Sequence, residues 1–333
     1  MVVMKKRISL KKTRLLFFSF LLSIAAVIEL VVLSLVNPVF SPAPLTLSLP
    51  IDTQLLKTHV KILTEIDPPR SAKYPESLNA IADYIRDSFH AYGIEAEFQT
   101  FTADGAEYKN VVARYGQTAQ KKLIIGAHYD VDGEMPGADD NASAVAGLLE
   151  LARLLGSLRP QLDYDIELVA YTLEELPYFG TQKMGSAVHA DSLPRDAEVL
   201  GMISLEMIGY FSDEQGSQRY PFPFLRLFYP SEGNFIAVVG KPGQWGIVRQ
   251  VKRNMGAAMT LPVYSINAPT LIPGIDYSDH QNYWKKGYPA IMVTDTAFQR
   301  NPNYHKATDT ADTLNYEKMA EVVKGVYAAA ISF

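Results

Sequence analysis

The chain of 333 residues carries 31 basic and 36 acidic residues, a formal charge of −5, and no cysteine. The missing thiols exclude disulfides, thiolate metal ligands and a cysteine nucleophile, so any chemistry here uses oxygen and nitrogen groups. Six of the basic residues (Lys5, Lys6, Arg7, Lys11, Lys12, Arg14) fall in positions 1–14, which leaves 25 basic against 36 acidic residues beyond them and argues against nucleic acid as a partner.

Leu15 to Val36 follows as a run of apolar residues broken only by Ser19, Ser23, Glu29 and Ser34. As a helix its 22 residues extend about 33 Å, enough to cross a bilayer core. Glu29 near the centre costs about 3 kcal/mol on the insertion scale. Sixteen Leu, Ile, Val and Phe at about −0.3 to −0.6 kcal/mol each outweigh it. The basic tail at 1–14 places the N-terminus in the cytoplasm, the anchor at 15–36 crosses the membrane, and the rest lies outside. Cleavage as a signal peptide, giving a secreted chain, is the rival reading; the only small-x-small triplet near the end of the segment, Ser41-Pro42-Ala43, is followed by Pro44, a poor residue to cleave before.

Residues 37–51 are proline-rich and read as an extended stalk, and 52–333 as one catalytic domain. Within it, 52–66 and 75–92 have helical spacing. "AEFQTF" and "KNVVARY" alternate as paired strands, "KKLIIGAHY" is a buried strand, and 142–155 is a helix apolar nearly all round. "YDIELVAYT", "VLGMISLEM", "NFIAVVG" and "PAIMVTDT" are further apolar strands with helices between them. Strands alternating with helices predict an α/β fold, a mostly parallel mixed sheet sandwiched by helices. Ligands in such sheets sit beyond the carboxyl ends of the strands.

The ligand-type residues fall at those ends. His128 closes one strand and opens the acidic loop "HYDVDGEMPGADDN". Glu174 and Glu175 end the next, Glu206 closes another, and His305 lies in the loop after the last. Imidazole and carboxylate suit divalent cations such as zinc, bound at about 2.0–2.2 Å. Two metals about 3.5–4 Å apart need a shared group, and a carboxylate has two oxygens to offer. Of the neighbours Glu174 and Glu175, one can bind metal while the other stays free as a general base.

This ordered set (H-x-D, a Gly-x-Asp-Asp loop opening a helix, Glu-Glu, an "xMIG" strand end and a late His) resembles the co-catalytic di-zinc aminopeptidases. That group holds the bacterial leucyl aminopeptidases and the glutamate carboxypeptidase catalytic domain, with the glutaminyl cyclases as relatives. The resemblance spans about residues 55–333. It implies Asp139 as the ligand bridging two zinc ions, His128 and Glu206 completing one and Glu175 with His305 the other. Glu174 resembles the general base, and Asp130 resembles the residue that orients His128. Asp279-His280, in "YSDHQNYW", resembles another family signature near the substrate pocket, which implies a supporting place for His280 behind the ligands. The chain departs from the pattern in having Glu206 where the family more often has Asp, and in a longer run after Glu-Glu, "LPYFGTQKMGS".

Other residues have blander readings. His59, His90 and His189 lie in polar helical stretches and read as surface residues. Asp132 and Glu134 read as solvated, and Asp309 and Asp312 as turn residues before a last helix capped by Asn315. The segment "RYPFPFLRLFYP" at 219–230, inside a 211–233 insertion, reads equally as a pocket wall or a packed surface loop. The resemblance implies a membrane-anchored exopeptidase that hydrolyses N-terminal bonds of a peptide or aminoacyl substrate with a water activated by two zinc ions. A single-zinc glutaminyl cyclase and a non-catalytic receptor-like ectodomain are the alternatives.

Overall fold

The computed structural model describes residues 10–39, 48–116, 120–194 and 196–333, with side chains from residue 14 onward. Helix α1 (Leu10–Val36) already covers part of the expected basic tail, whose residues 1–9 lie outside the described ones. It is the one helix, among the described residues, long and apolar enough to cross a membrane. Among the described residues, its contacts with the rest of the chain lie in its last turn. Asn37 ends it in a left-handed conformation (φ 46°) and is buried, its side-chain amide donating to Trp245 O while its carbonyl oxygen accepts from Arg249 Nε, both at 2.9 Å. The expected stalk therefore does not begin at 37, because this asparagine is fastened to the domain. Residues 40–47 of that stalk lie outside the described residues.

Helix α2 (Thr53–Thr64) starts where the Asp52 carboxylate accepts from the amides of Gln54 and Leu55 at 2.9 and 3.0 Å. Helix α3 (Pro75–Ala91) starts on a proline, whose missing donor is harmless at that position. Strands β1 (Glu95–Ala103) and β2 (Ala106–Tyr115) form the expected hairpin. Next come β3 (Lys121–His128), α4 (Ala144–Leu158), β4 (Asp165–Tyr171), α5 (Gly185–Ser192) and β5 (Glu198–Glu206). The chain closes with β6 (Ile236–Gly240), α6 (Trp245–Ala258), β7 (Val263–Asn267), α7 (His280–Lys285), β8 (Ala290–Thr294) and α8 (Tyr316–Ala330). Asn315 caps α8 as expected, accepting from Lys318 N at 3.0 Å.

One eight-stranded sheet runs in the order β1-β2-β4-β3-β5-β8-β6-β7. Its central strands β4, β3, β5 and β8 are mutually parallel, whereas β2 and the β6–β7 pair run against them. Helices cover both faces. One face packs apolar side chains of α2, α3, α4, α6 and α8 against the sheet, and the other packs Tyr171, Phe235, Tyr283 and Trp284. Gly126 in β3 allows that second layer to close, since a Cβ there would lie 2.2 Å from the Tyr171 ring. The parallel centre leaves four carboxyl ends side by side at one edge.

Candidate metal centre

Each of those four strands delivers a ligand-type side chain to the common edge. His128 is the last residue of β3 and Glu206 the last of β5. Glu174 and Glu175 follow β4, and His305 lies in the loop after β8. The backbone turns sharply to aim them: Leu173 before Glu174, Met207 after Glu206 and His305 itself all hold positive φ (60°, 49° and 54°). Each such conformation costs a non-glycine residue about 1–3 kcal/mol and is typical of sites where side-chain placement outweighs local comfort.

The centre of the group is Asp140. Its Oδ1 lies 3.5 Å from His128 Nε2 and its Oδ2 3.1 Å from His305 Nε2. His128 Nε2 is also 3.4 Å from Glu206 Oε2, and His305 Nε2 is 3.5 Å from Glu175 Oε2. His128 Nε2 thus faces Asp140 and Glu206, and His305 Nε2 faces Asp140 and Glu175, with Asp140 between them; ligand atoms of His128, Asp140 and Glu175, and those of Asp132, Glu175 and His305, lie within 4.8 Å of one another. Donors at 2.0–2.2 Å from a tetrahedral ion lie about 3.4 Å from one another. The observed spacings fit that edge length and are long for direct hydrogen bonds. Both ring nitrogens of His128, and Nε2 of His305, are buried without a hydrogen-bond partner. Buried orphans of this kind are rare in a finished fold; a cation would satisfy each Nε2, while His128 Nδ1 faces Asp130 at 3.5 Å.

Asp139, expected as the bridging ligand, is not in this group. Its Oδ1 accepts from Gly209 N at 2.9 Å and its Oδ2 from the Asn301 side-chain amide at 2.7 Å, on the far side of the turn. The turn is held by several clamps. Asp309 accepts from the amides of Asp139 and Asp140 at 3.0 and 3.1 Å. Buried Arg70 donates to Pro136 O at 2.6 Å and Gly137 O at 2.5 Å. Asn141 bridges to the end of β5, donating to Leu205 O and accepting from Met207 N, both at 2.9 Å. Gly137 needs its left-handed φ of 61°, and a Cβ there would meet Asp140 O at 2.2 Å. So clamped, the loop turns Asp139 inward and Asp140 toward the histidines.

Other expectations shift as well. Asp130 lies 3.5 Å from His128 Nδ1 and also accepts from the amides of Glu174 and Glu175 at 3.1 and 3.0 Å, so it orients three residues. Asp132, read as solvated, lies 3.4 Å from His305 Nδ1 and within reach of Glu175. Glu134 stays at the surface, paired with Lys73. His280 is buried, but Nε2 faces Ile275 O at 2.9 Å and its ring packs on Trp284, so it touches no ligand-type group. Its neighbour Ser278 instead donates to Glu206 Oε2 at 2.7 Å. His59 and His189, read as surface residues, are buried: His59 lies between the Tyr84 and Tyr92 hydroxyls, and His189 between Tyr283 and Glu167. Asp309, read as a turn residue, is a buried clamp.

The charges are unbalanced. Burial opposes charge on His128, yet Glu206 and Glu174, with Asp130 and Asp140, hold its pKa well above the ordinary value. Burial likewise lowers His305, but Asp140 and Glu175 push it up to about 10. Glu175 is pushed up to about 8 by burial and by Asp140. Glu174 is raised well above the carboxylate range by burial, reinforced by Glu175 and Glu206. Asp140, despite its burial, stays ionised below the usual range because both histidines face it. So many buried carboxylates around two imidazoles call for added positive charge.

Beside the centre opens an apolar cavity of about 120 Å³. Glu206 and Tyr304, whose ring stacks on His305 at 3.8 Å, form its metal-side wall. Tyr220, Leu225 and Tyr229 from the 219–230 segment form another, so that segment is a pocket wall rather than a detached loop.

Comparison with known proteins bears on the fold and the class. The pattern of peptidase family M28 matches residues 110–330. The "uncharacterized protein YfbL" of Escherichia coli (strain K12) is 51% identical over 281 residues, 82% of this chain and 85% of its own. A "probable leucine aminopeptidase" of Trichophyton verrucosum is 28% identical over 65% of this chain, which spans about half (54%) of that relative's length. Among solved structures, LapB from Legionella pneumophila superposes with a TM-score of 0.68 at 24% identity, covering 85% of this chain and 72% of its own. A Bacillus subtilis zinc aminopeptidase gives 0.65 at 15% over 85% and 95%, and a Bacteroides thetaiotaomicron glutaminyl cyclase 0.63 at 17% over 86% and 100%. At these identities the superpositions establish the fold. The family pattern, matched over more than half of the chain, establishes the class: this chain belongs to peptidase family M28 and is a metallopeptidase.

Proposed function

We propose that this metallopeptidase is a membrane-anchored aminopeptidase working with two zinc ions, its catalytic domain on the outer side of the membrane and its N-terminus in the cytoplasm. The observation that carries the two-ion reading is the Asp140 carboxylate, which offers one oxygen to the His128 side and the other to the His305 side. His128, Asp140 and Glu206 would hold one ion, and His305, Asp140 and Glu175 the other. When bound, such ions acidify water and polarise the carbonyl of the scissile bond.

Glu174 faces this space from 3.9 Å beyond His128 Nε2 and belongs to neither donor set. Its raised basicity suits it to take a proton from the attacking water and return it to the leaving amine. Asp130 fixes the backbone of Glu174 and Glu175, so base and ligand hold their relative places. The adjoining cavity is lined by Leu225, Ile272 and aromatic rings, which suits an apolar side chain on the residue released.

Glu174→Gln tests the assignment. The variant should retain both equivalents of zinc while turnover falls by about 10²–10⁴. Turnover near that of the parent would sink the general-base role, and loss of zinc would make Glu174 a ligand instead. Metal content also separates the glutaminyl cyclase alternative, which expects one zinc per chain and release of ammonia from N-terminal glutamine. Two equivalents, with EDTA-sensitive hydrolysis of aminoacyl nitroanilides, favour the aminopeptidase and dispose of the non-catalytic reading. A mature N-terminus near residue 40 would replace the anchor by a secreted form.

A further inference from the structure

The anchor is not followed by slack chain. Val36 O accepts from Ser265 Oγ at 2.8 Å and from Lys252 Nζ at 3.1 Å, and Ser34 O accepts from the Asn267 amide at 3.3 Å. With the two bonds of buried Asn37, these fasten the last turn of α1 to β7 and α6. The apolar run of 22 residues is about 33 Å long, little more than the hydrocarbon core of about 30 Å. If α1 crosses a bilayer, nearly all of it is needed to do so. The surface around Asn37 then lies at the headgroups, where Trp245, 45% exposed, has the amphipathic ring typical of that level.

That same surface carries an unusual set of exposed apolar side chains. Leu271 is 92% exposed, Leu227 81%, Phe224 53% and Phe222 40%. They are chain neighbours of Pro221, Leu225 and Ile272, which line the apolar cavity, and so stand outward of its wall as a rim. The rim is tied to the anchor site. Tyr229 Oη donates to Ser265 O at 2.8 Å, on the residue whose hydroxyl holds Val36. Leu35 of α1 packs into the same apolar layer as Tyr264, Ile266 and Ile272. Arg219 and Arg226, both exposed, flank the phenylalanines. Large exposed apolar groups beside cations mark a surface that meets a partner, and the partner already present at this edge is the bilayer around α1.

We propose, resting on the anchor reading, that the rim formed by Phe222, Phe224, Leu227 and Leu271 is a second membrane contact. Its apolar tips enter the boundary between headgroups and acyl chains, with Arg219 and Arg226 against lipid phosphates. The catalytic domain is thereby held in one orientation on the membrane at two points.

The chain has no cysteine, so single-cysteine variants carry a fluorophore at one chosen place. Leu227→Cys and Leu271→Cys, in the full chain, are labelled with an environment-sensitive dye and reconstituted into phosphatidylglycerol-containing vesicles, with and without lipid bearing a nitroxide near the headgroup. Leu22→Cys, in mid-anchor, and Asp87→Cys, on α3 at the far end of the sheet, serve as references. The expected result is loss of most fluorescence at 227 and 271 with nitroxide lipid, and none at 87. Quenching at 22 but not at 227 and 271 overturns the second contact and leaves the anchor standing. No quenching at 22 overturns both. A blue shift at 227 and 271 that follows protein concentration and ignores the nitroxide assigns the rim to a second copy of the chain, and also overturns the proposal.

Discussion

Two of the buried clusters built around histidine in this domain differ in one respect. Around His189 the charges are balanced, although Glu167 Oε1, facing His189 Nε2, has no well-aligned hydrogen bond. Nδ1 faces Tyr283 Oη at 2.6 Å, Nε2 faces Glu167 at 3.1 Å, and Tyr171 shares a hydrogen bond with Tyr283 at 2.6 Å. Glu167 is in turn met by Lys122 at 3.1 Å and Arg114 at 3.3 Å, and its pKa is lowered to about 2 because His189 and Lys122 outweigh burial. Around His128 and His305 the sum does not close: carboxylates outnumber bases, and ring nitrogens lie orphaned. Burial alone therefore says little about a histidine's role. Whether its neighbours neutralise one another separates a structural cluster from one that waits for a cation.

The comparison breaks first at Asp140. Asp140→Asn removes the charge shared by both donor sets, and turnover should fall to background, with loss of zinc measured by atomic absorption on dialysed protein. Asp139→Asn is the matched control, one residue away and equally buried. It should keep both zinc equivalents at saturating metal, since the Asp139 carboxylate is engaged by Gly209, Asn301 and Asp295, all outside the donor sets. If Asp139→Asn loses the metal and Asp140→Asn keeps it, the assignment is reversed.

His189→Phe probes the closed cluster. It removes one partner each from Glu167 and Tyr283 in a buried setting and leaves their other partners in place, a change worth about 1–3 kcal/mol. Urea unfolding should show that loss while zinc content and the Michaelis constant stay those of the parent. Altered zinc stoichiometry would mean that the two clusters are not independent. A smaller effect is expected at Asp132→Asn. Its carboxylate touches His305 from behind, so metal affinity should weaken about 10- to 100-fold with activity restored by excess zinc. An unchanged zinc titration would return Asp132 to the solvated surface.

These residues also show what a sequence discloses. The strand ends were readable because continuous apolar runs such as "KKLIIGAH" mark buried parallel strands, and the residue closing each run falls at the common edge. The choice between Asp139 and Asp140 was not readable. It depends on a single turn clamped by Asp309, Arg70 and Asn141, distant residues with no pattern in common. His59 could have been found: with Leu56, Val60 and Leu63 it follows the i, i+3, i+4, i+7 stripe of a buried helix face. His189 could not, because α5 is short and its neighbours on the inner face come from β4 and α7. Strand β7 went unrecognised for a similar reason. Five residues with one serine and one asparagine carry too little pattern, and both polar side chains are used to hold α1.

The gentlest test concerns His59, a buried histidine of the closed kind. It lies 2.5 Å from Tyr84 Oη and 2.9 Å from Tyr92 Oη, with no acid in its shell, and burial lowers its pKa to about 4. The unfolded chain therefore binds a proton on this residue more readily than the folded one between about pH 6.5 and pH 4. Its neutral form contributes fully above that window, and the contribution is lost as pH falls through it. Between pH 7 and 5.5 the loss amounts to about 1 kcal/mol. His59→Gln keeps polar partners for both tyrosines but does not titrate. The drop in unfolding free energy from pH 7 to 5.5, measured with EDTA present for both proteins, should be smaller in the variant by that amount. The metal-edge groups contribute equally in both proteins, so the difference isolates His59. Equal drops would mean that the folded protein accepts the proton at His59 as readily as water does, and the distinction between closed and open clusters would then lose its electrostatic basis.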